Sequence, residues 1–270
     1  MKSGYVAFGS VFISLLLVVG ALDQVRADNT LEANGKHEES IPGVPYFTST
    51  AQPAMLAING GTIQSTDNMI TILPPGGLIG LEAQGTGSQI TAKNPTILGL
   101  DAGQTGISAV SAINGGLVTL EGGKIEIAGA SSVGLLANNG TVDVSAPVTI
   151  SMTGPNSYGV EAEGSGVVDI NPGTTITTSG IGGFGIFALA GGTVTANGIT
   201  ITTSGFLSPG GFDADGAATM GGTNNLENSS ITTIGDSADG LHVLGGNGQI
   251  IGTNLNIVTS GRGGSRCGSR

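Results

Sequence analysis

From residue 53 to residue 261 apolar and polar positions alternate over short runs, and nearly every run ends at glycine, asparagine or proline. One set of runs reads Thr141-Val142-Asp143-Val144, Val167-Val168-Asp169-Ile170 and Thr193-Val194-Thr195. A second reads Val148-Thr149-Ile150, Thr175-Ile176-Thr177, Ile199-Thr200-Ile201 and Leu255-Asn256-Ile257. A period of two puts successive side chains on opposite faces, so these runs predict strands with one buried and one wet side.

A third run follows a recurring phrase, glycine, an aliphatic residue, any residue, alanine. It reads Gly80-Leu81-Glu82-Ala83, Gly134-Leu135-Leu136-Ala137, Gly159-Val160-Glu161-Ala162 and Gly185-Ile186-Phe187-Ala188, with looser copies at Gly216-Ala217-Ala218-Thr219 and Gly240-Leu241-His242-Val243. Aligned on the small residue, the register runs Ala57, Ala83, Ala112, Ala137, Ala162, Ala188, Thr219, Val243, in steps of 26, 29, 25, 25, 26, 31 and 24 residues. Units of this length cannot bury an apolar face alone and must stack on their neighbours. Three short strands and three turns fill one step. The prediction is therefore an all-β fold, a right-handed parallel β-helix of about eight three-strand rungs, each rising roughly 4.8 Å. Asn59-Gly60-Gly61, Asn114-Gly115-Gly116 and Asn139-Gly140 suit left-handed turns, which asparagine and glycine tolerate best.

Composition narrows the alternatives. Fifty of the 270 residues are glycine, too many for a helical solenoid, where each interior glycine costs about 1 kcal/mol relative to alanine. Glycine does not fall at every third position, which removes collagen. The single cysteine, Cys267, leaves stability to stacking rather than disulfides. The formal net charge is −11, and between Gly80 and Gly261 the basic residues are Lys93 and Lys124. Such a surface repels phosphate backbones, so nucleic acid is not an expected partner.

The ends differ from the repeats. Lys2, the apolar stretch from Val6 to Leu22 and the small residues Val25 and Ala27 read as a signal peptide over residues 1–27, cleaved before Asp28. Residues 28–52 are polar and carry Pro42 and Pro45; they read as a linker or N-terminal cap, with Ile41, Val44, Tyr46 and Phe47 as its apolar contacts. Residues 53–261 are the repeats. Residues 262–270, where a further phrase is due, hold Arg262, Arg266 and Arg270 and read as an aberrant basic tail, the mark of a truncated or frame-shifted copy or of a mobile native end.

A signal peptide, a short linker and rungs such as Gly185-Ile186-Phe187-Ala188-Leu189-Ala190-Gly191-Gly192-Thr193-Val194-Thr195 resemble the passenger domain of bacterial autotransporters. The resemblance covers about residues 53–261. It implies an exported protein at the cell surface or outer membrane, with adhesive contacts to host or bacterial surface proteins or glycans, and an outer-membrane barrel as partner. Nothing barrel-like follows residue 261, so the barrel would be encoded separately, or the chain is a remnant that stops in the periplasm.

Candidate chemistry is sparse, and the chain is read as non-enzymatic. His242 shares its register position with Leu136, Glu161 and Phe187 and is expected to point outward at the surface; His37 lies in the linker. No G-x-S-x-G elbow occurs. Gly180-Ile181-Gly182-Gly183-Phe184-Gly185 fits G-x-G-x-x-G, but a strand rather than a helix follows it, so no pyrophosphate site results. One cluster is acidic. Asp213 and Asp215, then Asp236 and Asp239, enter successive rungs before Gly216 and Gly240. Stacking would bring these carboxylates roughly 5 Å apart, within reach of a shared Ca²⁺; Asp-Gly also simply makes good turns. The alternative function is a secreted polysaccharide-active β-helix resembling the pectate lyases, with Asp143, Glu161, Glu163 and Asp169 as carboxylates, although the repeats lack arginine and tryptophan and hold Tyr158 as their one tyrosine.

Overall fold

The computed structural model describes residues 28–206 and 213–269; residues 1–27, where the sequence predicts a signal peptide, lie outside the described residues. The chain is a parallel β-solenoid of about nine turns with no helix among the described residues. Three strands per turn build three faces. The first face stacks ten strands, from Leu31–Asn34 through Met55–Ile58 and Tyr158–Glu163 to Leu241–Val243 and Cys267–Ser269. The second runs from His37–Glu39 to Gln249–Thr253 and the third from Tyr46–Thr48 to Asn256–Thr259. Strands Leu117–Ile127 and Thr141–Met152 are long enough to turn the corner and belong to both.

The register read from the phrase holds at every step. Ala57 pairs with Ala83, Ala83 with Ala112, and so on through Ala137, Ala162, Ala188, Thr219 and Val243. Inside the tube like sits on like. Ile70, Ile97, Ile125, Ile150, Ile176, Ile201, Ile231 and Ile257 form one column along the third face. All but Ile257 are completely buried, each contributing about 1.5–3 kcal/mol of apolar burial. Asn59, Asn114 and Asn139 have φ of 54°, 52° and 53°, the left-handed turn conformation that the Asn-Gly pairs suggested.

Two segments depart from the sequence reading. Residues 28–52, expected as linker or cap, form a complete first rung: Ala33 pairs with Ala57, His37 with Thr62, and Tyr46 heads the isoleucine column on Ile70. Its polar side chains disguise it, because a parallel strand is recruited by backbone hydrogen bonds and a few inward residues. Of the predicted cap contacts Tyr46 is buried, whereas Ile41 is exposed. The basic tail is likewise partly ordered: Cys267–Ser269 pairs in parallel with Leu241–Val243, placing Gly268 beside His242. The glycine-aliphatic-x-alanine phrase fails there, but a β-ladder does not require it.

Candidate functional site

Among the described residues, buried aspartates, a buried histidine and stacked aromatic rings gather at the corner leading from the third face into the first. Threonines at the ends of third-face strands shape it. Thr178 donates its hydroxyl to the Gly183 carbonyl (3.3 Å), Thr203 to that of Ala214 (2.6 Å) and Thr233 to that of Ala238 (3.2 Å). These bonds fix the backbone immediately before Phe184, Asp215 and Asp239. The ladder of Gly159, Gly185, Gly216 and Gly240 fixes it immediately after, because a Cβ on each would lie 2.3 Å from the Cγ2 of an isoleucine in the third-face column and within 2.9 Å of a carbonyl oxygen of the next rung.

Register therefore stacks Tyr158, Phe184, Asp215, Asp239 and Ser265 in one column. At its lower end Tyr158 stacks on Phe184 with centroids 5.3 Å apart, and Phe187 meets both rings at 5.3 and 5.0 Å. Phe184, Phe187 and Ala218 form a second, smaller apolar cluster distinct from the core of the tube.

One rung further the column turns acidic. Asp213, Asp215 and Asp239 are buried, and His242 is only 1% exposed. The His242 Nδ1 lies 2.7 Å from the Asp215 Oδ2 and 3.8 Å from the Asp239 Oδ2. The Asp215 Oδ1 accepts the Asp239 backbone N–H at 2.7 Å, and the Asp239 Oδ1 accepts that of Ser265 at 2.6 Å. A ligand atom from each of Asp213, Asp215 and His242 lies within 4.8 Å of the other two.

This corrects the sequence reading twice. His242, expected at the surface, is inside the cluster: its position does point away from the tube, but the second apolar cluster and the aspartate corner enclose that side of the first face. The small Ala218 in the preceding rung and Gly268 in the following one leave the imidazole room, and an Asp one rung away from a His was the signal available in the sequence. Asp236 does not join the others. It is exposed and accepts the Arg262 backbone N–H at 2.8 Å. Ala214 and Ala238 occupy equivalent places, so Asp213 aligns with Ser237, and Asp236 falls one residue earlier on the open corner.

Glu161 shares the His242 register column, opposite Phe187. Burial, and secondarily the charge of Glu163, pushes its carboxyl up to about 7 from the usual 4.5. Burial, with Glu161 nearby, also raises Tyr158. Among the other carboxylates considered, burial and then Asp169 raise Asp143. Glu161 yields a signed prediction. Between the two pKa values the folded state holds a proton that the unfolded chain has released, so folding is favoured most at low pH and weakens as pH rises towards 7. Glu161→Gln should leave stability unchanged near pH 4 and raise it near pH 8 by roughly 2 kcal/mol, from ~1.4 kcal/mol per pKa step discounted for partial solvation. Urea midpoints at both pH values check this, and equal effects at both would contradict it.

Neither a family model nor a curated protein nor a solved structure matches this chain.

Proposed function

We propose that this chain is an exported, non-enzymatic β-solenoid scaffold that binds other surfaces along its length, in the manner of an autotransporter passenger. The observation that supports this reading most is the outer side of the third face. Thr149, Thr175, Thr200, Ser230 and Asn256 form one outward column, and Ser151, Thr177, Thr202, Thr232 and Val258 the next. These ten positions carry no charge, on a chain whose net charge is −11. The strip repeats at about 4.8 Å per rung, offers hydroxyl and amide groups at nearly every site and has the extended form of a contact surface. Its partners would be surface proteins or glycans.

Two assays on the purified chain test the proposal together. Immobilised host and bacterial surface proteins and glycans should show saturable binding that Thr175→Lys with Thr200→Lys abolishes. Uronate-containing polymers should yield no unsaturated products. Clear turnover would replace this reading with the polysaccharide-active one.

A further inference from the structure

We propose that Asp213, Asp215 and His242 bind one divalent cation of the borderline, zinc-like class, with the Asp239 backbone N–H holding the Asp215 carboxylate in place. The three donor groups come from two rungs, yet their ligand atoms converge within 4.8 Å of one another, close enough for a single ion to touch all three. None of them is a surface carboxylate: Asp213, Asp215 and His242 are at most 2% exposed.

Charge and geometry both support a cation here. Three buried carboxyl groups gather around one imidazole, and a divalent cation is the kind of ligand that offsets carboxylates brought together out of water. The carboxylates are also held in place: the Asp239 N–H fixes one oxygen of Asp215, and the Ser265 N–H fixes one oxygen of Asp239. Such outer hydrogen bonds are how metal ligands are oriented. Gly268 completes the pocket wall, since a Cβ there would overlap the Asp239 carboxylate.

The donor set also chooses among metals. Calcium takes six to eight oxygens, as a rule, whereas here a nitrogen joins two carboxylate donors. Imidazole with carboxylate suits zinc, cobalt or manganese better. The calcium site expected from Asp213, Asp215, Asp236 and Asp239 is thus replaced by one that excludes Asp236 and includes His242.

The test uses the full chain, stripped with a chelator and titrated with Zn²⁺ and separately with Ca²⁺ by calorimetry. One Zn²⁺ per chain is expected, with Ca²⁺ far weaker. Asp213→Asn should weaken Zn²⁺ binding by at least about 10–100-fold, the loss typical of an outer partner and so the minimum for a ligand. Circular dichroism of each variant in chelator establishes that it is folded. Two measurements need no cluster variant. Co²⁺ should give visible d–d bands that Zn²⁺ displaces. In a His37→Gln chain, where His242 is the remaining histidine, Zn²⁺ should shift the ring NMR signals. Absence of Zn²⁺ binding, binding unchanged in folded Asp213→Asn, or His242 signals that do not move would each overturn the proposal.

Discussion

Gly180→Ala should cost at least about 3 kcal/mol of folding stability, at or beyond the top of the range for overpacking one methyl group. Gly154, Gly180, Gly205, Gly235 and Gly261 stack at the corner after the third face, and a Cβ on each would overlap the carbonyl oxygen of the glycine one rung earlier. The obstruction at Gly180 is the Gly154 backbone, which cannot rotate away as a side chain can. Relief requires the two rungs to separate, and that breaks the ladder holding Thr175–Thr178 on Thr141–Met152. Gly60→Ala is the matched control. Gly60 has φ +75° and nothing within 4 Å of its Cβ position, so alanine there incurs only left-handed strain, about 1–2 kcal/mol. Denaturant midpoints of the two variants compare the mechanisms. Equal losses would mean that glycine serves in this chain for backbone conformation alone.

His242→Ala should cost at least about 1–3 kcal/mol, the penalty for leaving a buried polar group without its hydrogen-bond partner. The loss would leave Asp215 and Asp239 buried without the imidazole that lies between them. Because each rung of a solenoid contacts mainly its neighbours, the damage should start in the last two rungs. Amide exchange should therefore quicken first over Leu241–Val243 and Cys267–Ser269. Replacing the pair rather than breaking it should be milder. Asp215→Phe with His242→Leu extends the Tyr158–Phe184 column by an apolar residue, and apolar substitutes for buried pairs are often neutral. A single-variant cost under about 1 kcal/mol, the scale of an exposed charge, would put His242 at the surface after all.

The two variants probe features of unequal legibility. The glycine that opens each phrase, at Gly159, Gly185, Gly216 and Gly240, is visible in the sequence as a period. The same is true of the Ala57-to-Val243 register, the isoleucine column and the Asn59, Asn114 and Asn139 turns. All depend on one local rule repeated each rung, and repetition lets a weak signal accumulate. Residues 28–52 read as a linker for the complementary reason: the first rung has only Leu31, Ala33 and Tyr46 to show its pattern, and Pro42 and Pro45 sit in its turn.

The aspartate cluster was half legible. Asp215 and Asp239 could be aligned because each precedes the glycine of a phrase. The extra residue between Asp236 and Asp239 could not be weighed without knowing that Ala214 and Ala238 hold the corner. His242 could be assigned to the outer side of its strand, but not to a buried environment, since alternation tells which way a side chain points and not what covers it.

The sequence by itself determined the solenoid, its three-strand rung and the residue-by-residue register, because parallel stacking at one spacing turns a linear period directly into contacts. Only the tertiary structure decided that the first face carries a second buried layer outside the tube. That layer arises where Phe184 and Phe187 meet the corner of the next rungs, and it alone converts His242 and three scattered aspartates into one enclosed site.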